Sequence, residues 1–229
     1  QTLTNKTLTA PKINEDVAVT STATELNLLD GKAATNLALL GKTEGTNFTD
    51  SLLVGHATTG TLNDAKQNTG VGIEALQSLT SGDNNSTLGR NAGRNITTAN
   101  INTAIGSGTL RYLTTGDRNT AIGYNVLGAN NTSYTENTGV GAYALQVCTG
   151  NVNTALGYNA GKNITSGSGN VMIGEVNADS ATGDRQLKIT GNDGSTATTW
   201  ISGDSSGNLV TPGTITANGV VLTGEGGLA

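Results

Sequence analysis

The chain has 229 residues and a formal net charge of -5, with 13% charged and only 3% aromatic residues, and a single Cys148, His56, Trp200 and Phe48. Glycine occurs 33 times, about twice its average usage of ~7%. This composition leaves no material for a thick aromatic core, an intrachain disulfide or a histidine-built metal cluster. It also argues against nucleic acid as a partner, because no basic cluster is present, and against membrane insertion, because no apolar run reaches ~18 residues.

Residues 1–20 alternate apolar and polar side chains over Leu3, Leu8, Ile13, Val17 and Val19, with Pro11 as a break, which predicts extended segments. Thr22-Ala-Thr-Glu25 spells a capping box, in which the threonine hydroxyl and the glutamate carboxylate each satisfy a free backbone N–H. Leu26 and Leu29 share one side of the short helical turn this predicts, and Gly31 stands at its stop position. A second short apolar stretch, Leu37, Leu39 and Leu40, ends at Gly41. These leucines either meet their copies around a threefold axis or pack within one chain. The chain opens on Gln1 with no secretory signal, which predicts further residues upstream. Residues 1–50 are therefore read as an extended and short-helix connector.

A repeat governs the middle of the chain. Seven units open on Asn68 (NTGVG), Asn85 (NSTLG), Asn102 (NTAIG), Asn119 (NTAIG), Asn137 (NTGVG), Asn153 (NTALG) and Asn170 (NVMIG), in steps of 17, 17, 17, 18, 16 and 17 residues. A decayed eighth unit begins at Ser51 (SLLVG), one period upstream. A 34-residue superperiod overlies this one: Ala75-Leu76, Thr109-Leu110 and Ala144-Leu145 alternate with GRNAGRNIT and GYNAGKNIT. Turn signals such as Ser81-Gly82-Asp83 and Thr115-Gly116-Asp117 precede most units.

Each unit thus predicts a short strand, a tight corner at the glycine, a second short segment and a turn. One unit buries too little apolar surface to fold alone, so the units must stack. The fold class expected over residues 51–186 is all-β, a β-roll or β-solenoid-like shaft. Val71, Leu88, Ile105, Ile122, Val140, Leu156 and Ile173 form an aliphatic column expected to point inward. Gly72, Gly89, Gly106, Gly123, Gly141, Gly157 and Gly174 mark a place where φ is positive or a side chain would clash. The asparagines are expected to stack, bonding to one another and to corner backbone groups in preference to holding ions. After residue 186 the pattern fails. Residues 187–229 read as a small antiparallel β module of segments such as LKIT, TTWIS and VVLT joined by glycine-rich turns.

Catalytic chemistry finds no constellation. Asp83, Asp117 and Asp184 occupy turns, where aspartate is expected anyway, and two carboxylates poised across a cleft are what glycan cleavage requires. His56 is isolated among small residues, no Gly-Lys-Ser/Thr phosphate loop appears, and the calcium-binding GGxGxD pattern is missing. No catalytic, cofactor-binding or metal residue is assigned, and Cys148 is expected to be a small buried apolar residue. The threonine column is narrow for an ice-binding face, broken by Val171 and shortened by Ser86. The least regular places are the 18-residue unit with Tyr134 and Glu136, candidates for receptor contact, and the C-terminal module, where Trp200 is expected in the core.

The Asn-Thr-Ala-Ile-Gly units resemble the head repeats of trimeric autotransporter adhesins, which fold as a left-handed parallel β-roll. NTAIGYNAG and SGSGNVMIG are more similar still to bacteriophage tail-fibre and tail-spike shafts, as are TLTNKTLTAPKI with TATELNLLDG upstream and SGDSSGNLVTPGTITANGVVLTG downstream. The resemblance implies a homotrimeric, non-enzymatic virion fibre, assembled in the host cytoplasm. Its implied partners are other tail or fibre proteins and a host surface glycan or protein receptor. Two other readings are a passenger segment of a bacterial trimeric adhesin and a tail-spike glycan depolymerase with an intersubunit site.

Overall fold

The computed structural model describes residues 41–45, 47–55, 61–128, 132–211, 213–217 and 220–223, and they are all-β, with no helix among the described residues. The helical turns expected around Thr22–Glu25 and Leu37–Leu40 lie outside the described residues, as does His56. Strand β1 (Gly41–Gly45) forms an antiparallel pair with β2 (Phe48–Val54), with an irregularity between Thr43 and Gly45. From β2 the chain coils in parallel. A two-residue β3 (Ala65–Lys66) flanks it, and β4 (Thr69–Val71), β5 (Ser86–Leu88), β6 (Thr103–Ile105), β7 (Thr120–Ile122), β8 (Thr138–Val140), β9 (Thr154–Leu156) and β10 (Val171–Ile173) follow, each hydrogen-bonded to the next. The result is a β-solenoid of about 8 turns.

Register survives the uneven units. Thr69, Ser86, Thr103, Thr120, Thr138, Thr154 and Val171 stand side by side, although one unit is longer and the next shorter. The Ser51 unit belongs to the same stack, since Leu52 pairs with Thr69 and Val54 with Val71. At the other end β11 (Leu187–Asn192) adds one more parallel strand, with Val171 opposite Leu187. The direction then reverses: β12 (Ala197–Gly203) and β13 (Leu209–Val210) are antiparallel additions to the same sheet. A separate hairpin joins β14 (Thr214–Ala217) to β15 (Val220–Thr223).

The asparagine column is a buried ladder. Asn102 Oδ1 accepts from Asn119 N at 2.9 Å and from Asn119 Nδ2 at 3.0 Å, and Asn102 Nδ2 donates to Asn85 Oδ1 and to the Gly116 carbonyl. The same pattern runs from Asn68 to Asn170. Ser51 Oγ begins it by accepting from Asn68 N at 2.8 Å, and Gln186 ends it, donating its backbone N–H to Asn170 Oδ1. Burial without partners would make each amide costly; one turn supplies what the next requires.

The direction of the aliphatic column is the opposite of the expected one. Leu88 is 52% exposed and Leu156 51%, while Val71, Val140 and Ile173 are only half-buried. The fully inward residue is the one before: Ala104, Ala121, Ala155 and Met172 are 0% exposed. Side chains alternate along a strand, so in a three-residue strand the first and third positions share a face. The first and third residues therefore point outward together and only the middle one faces in, small in most turns and large at Leu53 and Met172 near the ends of the stack.

Larger side chains from the opposite wall fill the interior. Leu76, Leu79, Ile96, Leu110, Leu113, Leu127, Leu145 and Ile164 are all fully buried. This explains the 34-residue superperiod. Leu76 of one turn lies over Gly93 of the next, where an added Cβ would come within 2.8 Å of Ile96 Cδ1 and 3.0 Å of Thr87 Cγ2. Gly161 is packed in the same way by Ile164 and Leu145. At Gly93 and Gly161 the missing side chain makes room for a neighbouring leucine, whereas Leu110, Leu127 and Leu145 follow one another in successive turns. At the corner, Gly123 has φ +138°, and a Cβ there would lie 2.8 Å from the Gly141 carbonyl carbon, so stacked corners accept no side chain.

Tyr134 is the exception within this core. It sits where Gly116 and Gly150 stand in neighbouring turns, as the acceptor of the asparagine Nδ2 (3.0 Å from Asn119), and its ring is buried. The hydroxyl donates to the Leu127 carbonyl at 2.6 Å. Beside it, Cys148 occupies the position that holds Leu79, Ile96, Leu113 or Ile164 in other turns.

Candidate binding cleft

The sequence-singled residues mostly serve the fold. Asp83, Asp117 and Asp184 are not brought together; each accepts from a backbone N–H of the preceding turn at 2.7 Å, those of Lys66, Asn100 and Ser168. Tyr134, a candidate for receptor contact, is core, and Glu136 is an exposed partner of Arg118 at 3.3 Å. Cys148 is buried, and burial pushes its thiol up to about 11. Trp200, expected inside, is 57% exposed and lies against Gly191. The outward threonine column shares its face with the aliphatic residues and is interrupted at Val171.

A concavity that the sequence did not announce lies on another side of the coil. Two residues follow each corner glycine, and in the units from Asn85, Asn102 and Asn119 they are Arg90-Asn91, Ser107-Gly108 and Tyr124-Asn125. The middle turn carries the two smallest side chains, so a hollow opens between the larger ones above and below. Arg111, Tyr112 and Gly128 close its remaining side, giving a cavity of about 320 Å³. A Cβ on Gly108 would find only Asn125 nearby, at an ordinary 3.6 Å from Oδ1, so the floor is open.

Charge and polarity in this hollow are unbalanced. Among the described residues, neither Arg90 nor Arg111 has an ion-pair partner, whereas Arg94 and Arg118 each pair with a glutamate. The Arg111 guanidinium sits 5.2 Å from the centre of the Tyr112 ring, an arrangement that holds a cation without neutralising it. Two buried polar atoms, Asn91 Oδ1 and Arg111 Nε, have no hydrogen-bond partner among the described residues. Asn91 is 5% exposed with φ 60°, a left-handed conformation that asparagine tolerates. That accounts for the residue type, but not for the unpaired oxygen.

Tyr124, 52% exposed, begins an aromatic row along the coil. Its ring meets Tyr143 edge-on at 5.3 Å, Tyr143 meets Tyr158 at 6.2 Å, and Lys162 Nζ lies 5.3 Å from the Tyr143 centre. A second hollow of about 250 Å³ follows beside Asn159, Lys162 and Glu175. Asn159 repeats the position of Asn91 and also has an unpaired Oδ1. Nucleophile, general base and metal ligands are not assembled in the first hollow; its groups can bind through positive charge, aromatic faces and unfilled hydrogen bonds. The one sequence signal was asparagine recurring two residues after the corner glycine at Asn91, Asn125 and Asn159. Compared with protein-family models, with curated proteins and with solved structures, the chain matches none.

Proposed function

We propose that this chain is a rigid, non-enzymatic segment of a bacteriophage tail fibre, working as a homotrimer that joins the fibre to the tail or holds a host-attachment tip away from the particle. The observation that carries this reading is the outward aliphatic stripe. Val54, Val71, Leu88, Ile105, Ile122, Val140, Leu156, Ile173 and Ile189 stand in unbroken register along one face. At ~4.8 Å per strand the nine rungs extend about 38 Å. A stripe of that length on a soluble monomer is an association surface, and a second copy of the same coil has the matching pitch. The number of chains rests on the resemblance to trimeric shafts; the choice of face rests on the stripe.

Light scattering on the purified chain tests it: a homotrimer has three times the 23.0 kDa chain mass. A folded monomer at micromolar concentration sinks the trimer. Antibodies raised against the chain are expected to decorate fibres on intact particles, and labelling of a cell surface in their place favours the bacterial adhesin.

A further inference from the structure

We propose that the hollow between the turns opening at Asn85, Asn102 and Asn119 binds one carboxylated sugar unit of an acidic glycan. This goes beyond the fibre reading, under which the repeats are a spacer, and it does not depend on the number of chains.

The chemistry of the ligand follows from what the hollow lacks. Arg90 and Arg111 bring two guanidinium groups to one cavity, and among the described residues neither has a carboxylate partner. Arg111 also keeps a buried Nε–H without an acceptor. A guanidinium edge offering Nε–H and a terminal N–H matches the two oxygens of a carboxylate. The ligand must also donate, because Asn91 Oδ1 is a buried acceptor without a donor among the described residues, and a sugar hydroxyl donates where a simple carboxylate ion does not. Tyr124 and Tyr112 line the same cavity, and tyrosine offers an apolar face with a polar tip, suited to the C–H face of a pyranose ring. The volume of about 320 Å³ lies at the small end of ligand sites, which fits a single sugar better than a folded peptide. A longer glycan leaves along the row from Tyr124 through Tyr143 to Tyr158, toward the second unpaired asparagine oxygen at Asn159.

Titration calorimetry on the full chain decides the matter, using three acidic probes: tetragalacturonate, a hyaluronan tetrasaccharide and a sialic acid trimer. At least one is expected to bind, and its carboxyl methyl ester to bind at least tenfold more weakly. Arg90→Gln, on an exposed side chain, and Asn91→Gly, compatible with the left-handed backbone, are each expected to weaken binding at least fivefold. Circular dichroism melts of both variants are expected to overlay the parent. Trp200→Ala, remote in the strand order, is expected to change nothing. If no acidic probe binds at millimolar concentration, the proposal is overturned. The same holds if acid and ester bind equally, or if folded Arg90 and Asn91 variants both bind like the parent, in which case water alone fills the hollow.

Discussion

Tyr134 donates its hydroxyl to the Leu127 carbonyl from a fully buried ring, and the next turn offers Cys148 where other turns carry leucine or isoleucine. The long unit brings in a large ring, and the short unit answers with a small side chain, so volume is kept across the pair. Burial gives this thiol a pH signature. Its folded value is raised to about 11 from an ordinary 9, so the fold favours the neutral form. That contribution is complete below pH ~9, where folded and unfolded thiols are both protonated, and it is lost as pH rises through the folded value. The Tyr134 phenol, also raised by burial, adds a loss that begins only above its ordinary value of 10. Urea midpoints between pH 8 and 10 are therefore expected to fall in the parent and to stay nearly flat in Cys148→Ala. Identical losses in the two proteins would place the titration elsewhere. The opposite substitution, Cys148→Leu, is expected to cost about 1–3 kcal/mol by crowding the ring.

Within one strand, adjacent positions have opposite fates. Ala121 is 0% exposed and Ile122 36%, so a charge at each tests different things. Ala121→Asp puts an unpaired carboxylate inside the coil, which costs several kcal/mol, and the chain is expected not to fold. Ile122→Asp is expected to fold, with an unchanged circular dichroism spectrum, and to elute at the mass of one chain. Loss of folding in both would return the aliphatic column to the interior. Much of this coil was legible in the sequence because contacts join equivalent positions one turn apart, so the repeat in Asn68, Asn85 and Asn102 is itself a map of the ladder. The direction of the aliphatic column was not. Hydrophobicity alone sent Ile105 inward, but Leu110 and Leu113 from the opposite wall already fill that space and leave room only for Ala104. The hollow was hidden for a similar reason. It depends on Ser107 and Gly108 lying between Arg90 and Tyr124, a relation between turns that no single repeat displays.

Across the whole coil, two complete units are expected to be removable together. Deleting Asn85–Arg118 joins Asn84 to Asn119 and sets Leu76 next to Leu127, the neighbour Leu110 has now. The ladder then runs from Asn68 to Asn119 in the same bonding pattern. The shortened chain is expected to fold and assemble, to lose about 10 Å of length at ~4.8 Å per turn, and to lose acidic-glycan binding together with Arg90, Asn91 and Arg111. Electron microscopy and calorimetry read these separately, and a deletion that fails to fold would show that the superperiod pairs are not interchangeable. The two ends of the stack carry a further consequence. A parallel coil that stops abruptly exposes a row of unpaired amides, which recruits another strand. Here Ser51 and Gln186 terminate the amide ladder, and antiparallel β1 and β12 lie beyond the outermost parallel strands β2 and β11. The sheet thus closes on the reversed β1 at one end and, past the reversed β12, on the two-residue β13 at the other, and neither edge offers a full rung of the coil. Copies are free to bundle side by side, but a growing tip finds only a reversed or very short edge strand, which disfavours end-to-end addition of so repetitive a sequence.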